Sequence, residues 1–310
     1  MRTLCKPDSL TRGKRYQVRL HSWLQVSKWA IHRLVEEELE IVTTREVYPS
    51  APLRLVALEL RFPLTTRLLS RALWDQLEAA VAGDLPDVSV FTAEPETSIP
   101  SGQHDQILRR ISEDRKRAVT LYAGAVTIEL ADYKSYGDLE ELTERILHAL
   151  RESLIVPLSY TRVGLRYINE IRASTAGISD DQWHLPKAWA PFINEQLLSE
   201  VETPPEGLCV FGNRKSTFFH SKSGPEYISM QYGITSEGIV DPSDVLVLDG
   251  TSGPCFVLDF DASQFGSTKE PVATEREEVI ETIARLHSLV ESVFEWSVTD
   301  QSREVFRARS

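Results

Sequence analysis

Cysteine is scarce in this chain. Cys5, Cys209 and Cys255 are the only three in 310 residues. They are odd in number, far apart and free of any C-x-x-C pair. That excludes a disulfide framework or a zinc ribbon and fits a reducing, cytoplasmic compartment. Cys209 and Cys255 read as small apolar strand residues. Long apolar runs are also missing: none approaches the roughly 20 residues that span a bilayer. The first 30 residues hold no compact apolar stretch ahead of a small-residue cleavage site, so neither a membrane partner nor a secretory leader is expected. The glycine-rich loops that cradle nucleotide phosphates are absent, as are G-x-S-x-G and H-E-x-x-H. No cofactor and no catalytic residue is therefore expected.

What is present is a core-forming composition, with 42% hydrophobic residues against 26% charged. This is ample for one large domain or two small ones. Net charge is −12 but unevenly spread. The first 35 residues hold eight Lys/Arg and one acid, so the rest of the chain carries −19. An acidic body repels nucleic-acid phosphate, and only the N-terminal arm attracts it.

Along that arm, Leu20, Trp23, Leu24, Ile31, Leu34, Val35, Leu39 and Val42 recur at helical spacing, which predicts an amphipathic helix. Pro49 and Pro52 end it. Leu53 to Phe62 reads as a strand, with Val56, Leu58, Leu60 and Phe62 on one face. A helix is predicted over 66–82, ended by Gly83. Strands are predicted near 86–95, 106–112, 117–123 and 125–130. A helix over 139–153 follows, with Asp138 as its cap. A long strand is expected over 159–171, then an apolar helical stretch over 186–201. Strands are expected near 207–220, 226–235 and 254–261, with a loop and short edge strand over 236–253. A strong final helix runs from 273 to 296. Strand runs between isolated helices mean an α+β body over 47–310, a mixed or antiparallel sheet with helices packed on it. The order leaves open two similar halves, 47–172 and 173–310.

Three segments carry a family resemblance by order and spacing: Ala51–Pro63, the central Val163-Gly-Leu-Arg-Tyr-Ile-Asn-Glu-Ile171, and Leu289–Asp300. Over residues 50–305 the chain resembles a sporadically distributed family of uncharacterised bacterial and archaeal proteins. The resemblance implies a stand-alone prokaryotic protein and brings no catalytic residues with it. Patchy distribution is compatible with mobile-element or antiviral defence neighbourhoods. Residues 1–46 fall outside the family pattern, as a true extension or an over-long reading of the start.

The central strand places Arg162 and Arg166 on one face, four residues and roughly 13 Å apart at strand rise. Guanidinium forks at that spacing suit phosphate or carboxylate. With Asn169, they are candidates for ligand or anion binding, against a plainer reading as cross-strand salt bridges with Glu59, Glu129, Asp259 or Asp261. Asp259 and Asp261 share a strand face and are the candidate metal ligands. His220 and His287 read as surface or satisfied core residues. Arg12, Lys14, Arg15 and Arg19, with Trp23 and Trp29, are candidates for a partner or nucleic-acid contact. The leading expectation is a non-enzymatic binding or scaffold protein, acting through a protein partner or self-association. The alternatives are a nucleic-acid-binding component using residues 1–35, and a metal-dependent hydrolase built on Asp259 and Asp261.

Overall fold

The computed structural model describes residues 48, 50–63, 71–92, 106–122, 124–153, 159–198, 212–238, 246–248 and 253–308. The expected N-terminal helix lies outside these. Nine strands form one antiparallel sheet among the described residues. They are β1 (Leu53–Arg61), β2 (Asp87–Thr92), β3 (Gln106–Ile111), β4 (Arg117–Leu121), β5 (Ala125–Leu130), β6 (Arg162–Arg172), β7 (Lys215–His220), β8 (Tyr227–Thr235) and β9 (Cys255–Phe265). The helices are α1 (Arg71–Val81), α2 (Tyr136–Ser153), α3 (Pro186–Trp189), α4 (Arg276–Ser297) and α5 (Asp300–Arg307). The architecture is α+β, as the alternation of strand runs and helices implied.

The spatial strand order is β2-β3-β4-β5-β1-β6-β9-β8-β7. It falls into two similar runs that divide before β6, so β6 opens the second run instead of closing the first as a division at 172 would have it. β1 and β6 each open a half, and they pair with each other at the centre. Each also pairs with the last strand of its own half, β5 or β9. Each half then closes with a long helix, α2 or α4. Side-chain identity differs between the halves while topology repeats, so no repeat is visible in the residues.

Period-two alternation decides which face meets the helices. Val56, Leu58 and Leu60 of β1, Val163 and Leu165 of β6, and Phe256, Leu258 and Phe260 of β9 all lie in the main core. On α4, Val279, Ile283, Leu286, Val290 and Val293 form the buried stripe. α4 lies against β6 and β9, and α2 packs between α1 and α4. The other face of the sheet carries the opposite parity: Glu59, Arg162, Arg166, Asp259 and Asp261 among others.

Several boundaries differ from expectation for identifiable reasons. The predicted helix over 186–201 shrinks to α3 and a single 3-10 turn at Glu195–Leu197. Pro191 removes a backbone donor just after α3 and stops propagation. α2 begins two residues before Asp138, because Ser135 is its cap: the Ser135 hydroxyl accepts from the Asp138 backbone N–H at 3.2 Å. β9 runs four residues further than expected, to Phe265. α5 was not anticipated. Its cap is Thr299, whose hydroxyl accepts from the Ser302 N–H, and Phe306 anchors it in the core. Within 236–253 the described residues form no strand.

Gly164 has a packing reason for being glycine. A Cβ there would fall on the guanidinium of Arg162, which lies flat along β6. Gly164→Ala is therefore expected to cost about 1–3 kcal/mol in urea unfolding, since it displaces a buried, charge-paired side chain. Gly83 has nothing within 4 Å of its Cβ position. Gly83→Ala serves as the control and is expected to be neutral or stabilising by a few tenths of a kcal/mol.

Candidate functional site

The face of the sheet turned away from the helices has two ends. At one end, Leu55, Ile111, Ala118 and Ile168 form a small second cluster covered by Leu246. The neighbouring Val247 N–H donates to the Arg115 carbonyl in the β3–β4 turn at 2.8 Å. Residues 246 and 247 thus lie against the sheet there. The other end carries the charged and aromatic side chains.

Arg162 organises that end. One of its guanidinium nitrogens pairs with Glu59 on β1, and another donates to Asp261 on β9 at 2.9 Å. One side chain on β6 thereby ties together three adjacent strands. Arg166 binds Asp259 through both carboxylate oxygens, at 2.8 and 2.7 Å. Arg214, just before β7, reaches the same carboxylate at 3.4 Å. Asp259 is 3% exposed at its side chain, so this pair is largely removed from water. Asp261 keeps 41% of its side chain exposed, yet burial raises its pKa, with Arg162 and Arg166 opposing that shift. Its carboxylate is hemmed in by the sheet on one side and open on the other.

The sequence candidates therefore divide. Arg162, Arg166, Asp259 and Asp261 come together, and they do so by pairing with one another. Glu59 joins them. Asn169 does not: it lies on the helix side of β6, 4% exposed, donating to the Leu258 carbonyl at 3.3 Å. Its odd-numbered position sets it opposite both arginines. No group of three or more His, Cys, Asp or Glu side chains suited to a metal ion occurs among the described residues. The carboxylates of Asp259 and Asp261 are each taken up by an arginine. Arg12, Lys14, Arg15, Arg19, Trp23 and Trp29 lie outside the described residues, as does Cys209. Cys255 is buried at the start of β9, and burial pushes its thiol up to about 12.

Glu129 was expected beside the central arginines and is placed differently. On β5 it sits between Ala57 and Ala118. It is 2% exposed, and one carboxyl oxygen has no hydrogen-bond partner. Burial pushes its pKa up to about 7, against the pull of Arg109.

An aromatic row went unrecognised in the sequence. The Arg162 guanidinium lies 5.3 Å from the Phe265 ring centre. Phe265 stacks on Tyr227 at 5.2 Å and 7°, and Tyr227 stacks on His220 at 6.2 Å and 23°. The row crosses β6, β9, β8 and β7. Phe265 is 45% exposed, and Phe218, two residues from His220 on the same face, is 42% exposed. The usable signal was strand parity: Asp259, Asp261, Ser263 and Phe265 alternate without a break, and so do Phe218 and His220.

Charge sets this end of the sheet apart from the helices. Arg61, Arg109, Arg162, Arg166 and Arg214 share that face with four carboxylates, Glu59, Glu129, Asp259 and Asp261. α2 and α4 each carry five carboxylates and two arginines.

His287 belongs to the helix side. Its Nδ1 is 3.0 Å from the Tyr167 hydroxyl, which is 3.0 Å from that of Tyr133. Its Nε2 is 3.1 Å from Glu291, and Tyr136 stacks on the ring at 4.5 Å. Burial raises the pKa of both Tyr133 and Tyr167. Both phenols stay protonated, the Tyr167 hydroxyl donating to that of Tyr133, and the contacts through His287 latch β6 to α4.

No protein-family model and no curated protein matches the chain.

Two stability experiments follow from the pairing. Asp259→Ala leaves the Arg166 and Arg214 charges unbalanced and is expected to cost about 3–5 kcal/mol in urea unfolding. Arg166→Met combined with Asp259→Leu is expected to recover most of that loss, because it removes both charges at once. Glu129 acts in the opposite sense with pH. Its folded pKa lies above the ordinary value of 4.5, so its contribution is intact below that value and is lost as pH rises through about 7. The stability gained by Glu129→Gln is expected to grow by on the order of 2–3 kcal/mol between about pH 4.5 and pH 8.

Proposed function

We propose that this chain works by holding a macromolecular partner on the aromatic end of the sheet face turned away from the helices, not by turning over a substrate. The observation that carries this reading is the contrast within that end. Its acids and bases are mutually engaged, while its large apolar rings, Phe218 and Phe265, stand 42% and 45% exposed. Ionised side chains locked in bidentate pairs are poor nucleophiles, bases or metal ligands. Exposed aromatic side chains clustered on one face are what binding surfaces are made of.

A cytoplasmic, partner-dependent role completes the proposal. The free, buried Cys255 fits a reducing compartment. No described helix is long and apolar enough to cross a membrane. The sheet supplies a rigid platform, since the paired arginines fix the strands beneath the aromatic row. The ladder at the centre of the sheet would keep that platform in one shape whether or not a partner is bound.

Mass measurement of the full chain drawn from its native cells tests the proposal. Wild type is expected to travel in a complex heavier than the lone chain. Phe218→Glu with Phe265→Glu is expected to release the partner while the thermal midpoint moves by only a few degrees, because neither ring belongs to the buried core. Glu144→Lys on the exposed side of α2 is the control and should leave the complex intact. If the doubly substituted chain keeps the same complex, the sheet face is not the working surface.

A further inference from the structure

Resting on that reading, we infer that the partner is a protein that adds an extended strand to the free edge of β7, a strand apolar at its centre and acidic at both ends. Among the described residues β7 is the last strand on its side of the sheet. The Asn213 N–H donates to the Ile234 carbonyl at 3.0 Å, and the Ser221 N–H to the Glu226 carbonyl at 2.8 Å. Those two bonds set the phase of the ladder. Odd-numbered residues of β7 turn their backbone groups inward to β8, in the register that pairs Thr217 with Met230 and Phe219 with Ile228. Ser216, Phe218 and His220 therefore turn theirs outward. All three residues are exposed, and no described strand takes up their N–H and C=O groups.

Neither proline nor a bulge blunts this edge, two devices by which exposed strands avoid pairing. β7 holds no proline and meets β8 without a register shift. Both faces beside it are apolar. On the aromatic face Phe218 is 42% exposed. On the helix face Phe219 is half-buried and meets Trp296 edge-on at 5.9 Å. A strand about 4.8 Å outside β7 would cover Phe218 on one face and lie beside Phe219 on the other. Its central side chains gain contact on both faces when they are β-branched or otherwise apolar.

Charge selects the occupant. Residues 212–225 contain no Asp or Glu, and β8 carries no charged side chain. Lys215 at the start of β7 and Lys222 just past its end are exposed, and neither pairs with a carboxylate among the described residues. Arg214 is already engaged by Asp259, and Glu226 by Arg285 at 2.7 Å. A second copy fits this edge badly. Antiparallel pairing of two β7 strands through Phe218 sets Lys222 of each copy opposite Arg214 of the other, and like charges directly opposite destabilise a strand pair. An acid at each end of an incoming strand meets a lysine instead.

The test uses the purified full chain and two fluorescein-labelled peptides, followed by anisotropy. Both have a Val-Thr-Val-Thr-Val centre; one is flanked on each side by Asp-Asp, the other by Lys-Lys. The acidic peptide is expected to bind on the order of tenfold more tightly, since each opposite-charge pair across strands contributes up to about fivefold. Lys215→Glu with Lys222→Glu is expected to reverse the preference. Ser216→Pro removes an outward N–H and is expected to abolish binding of the acidic peptide. Its thermal midpoint should move by only a few degrees, because proline there takes no donor from the β7–β8 ladder. If Ser216→Pro unfolds the chain, the charge reversal decides. Equal binding of the two peptides, binding of neither, or binding that a folded Ser216→Pro chain retains overturns the inference. A dimer of the purified chain that Ser216→Pro dissociates also overturns it, with a second copy as the occupant. A native-cell complex released by Phe218→Glu with Phe265→Glu but kept by Ser216→Pro removes the edge and leaves the sheet-face reading standing.

Discussion

Arg162 is the side chain on which the sheet's centre depends. It starts on β6, runs flat over Gly164, and meets Glu59 on β1 and Asp261 on β9. Those three strands are where the two halves of the molecule join. A buried guanidinium is costly to desolvate and is stable here because two carboxylates and the Phe265 ring surround it. The same contacts give direction. A hydrophobic residue at 162 could slide against its neighbours, whereas a fork bonded on both sides fixes one register.

That constraint propagates outward. With β1 and β6 in register, their even-numbered and odd-numbered residues respectively face the helices, and the core closes against α4. The opposite parity is left with the charged set. Arg166 and Asp259 repeat the Arg162 solution one step along the strand. The latch of Tyr133, Tyr167, His287 and Glu291 fastens β6 to α4 from the other side. β6 is thus held by polar contacts on one face and by both apolar and polar contacts on the other. A platform so fixed can present Phe218, Tyr227 and Phe265 without collapsing them into the core.

Glu129 shows the cost of the arrangement. Its neighbours on both strands are alanines, and nothing nearby hydrogen-bonds its free oxygen. Burial therefore pushes its carboxyl up to about 7, whereas both oxygens of Asp259 are bonded to Arg166. The two differ by where the arginines can reach, not by depth: both side chains are nearly excluded from water.

Residue pattern by itself determined the α+β class, the strands from Leu53 to Leu130, the long α4 and the parity that sets Arg162 and Arg166 opposite Asn169. These are local properties, fixed by alternation of two or by helical spacing over a dozen residues. It also offered salt bridges as the plain account of the arginines, with Glu59, Asp259 and Asp261 as partners. Which carboxylate meets which guanidinium was decided only by tertiary structure. So were the pairing of β1 with β6, the isolation of Glu129 and the row from Arg162 to His220. The central pairings, β1 with β6 and β6 with β9, join residues more than 80 apart in the chain, and strand register across such distances is set by the closing of the whole sheet on its helices, for which no short stretch of sequence holds the information.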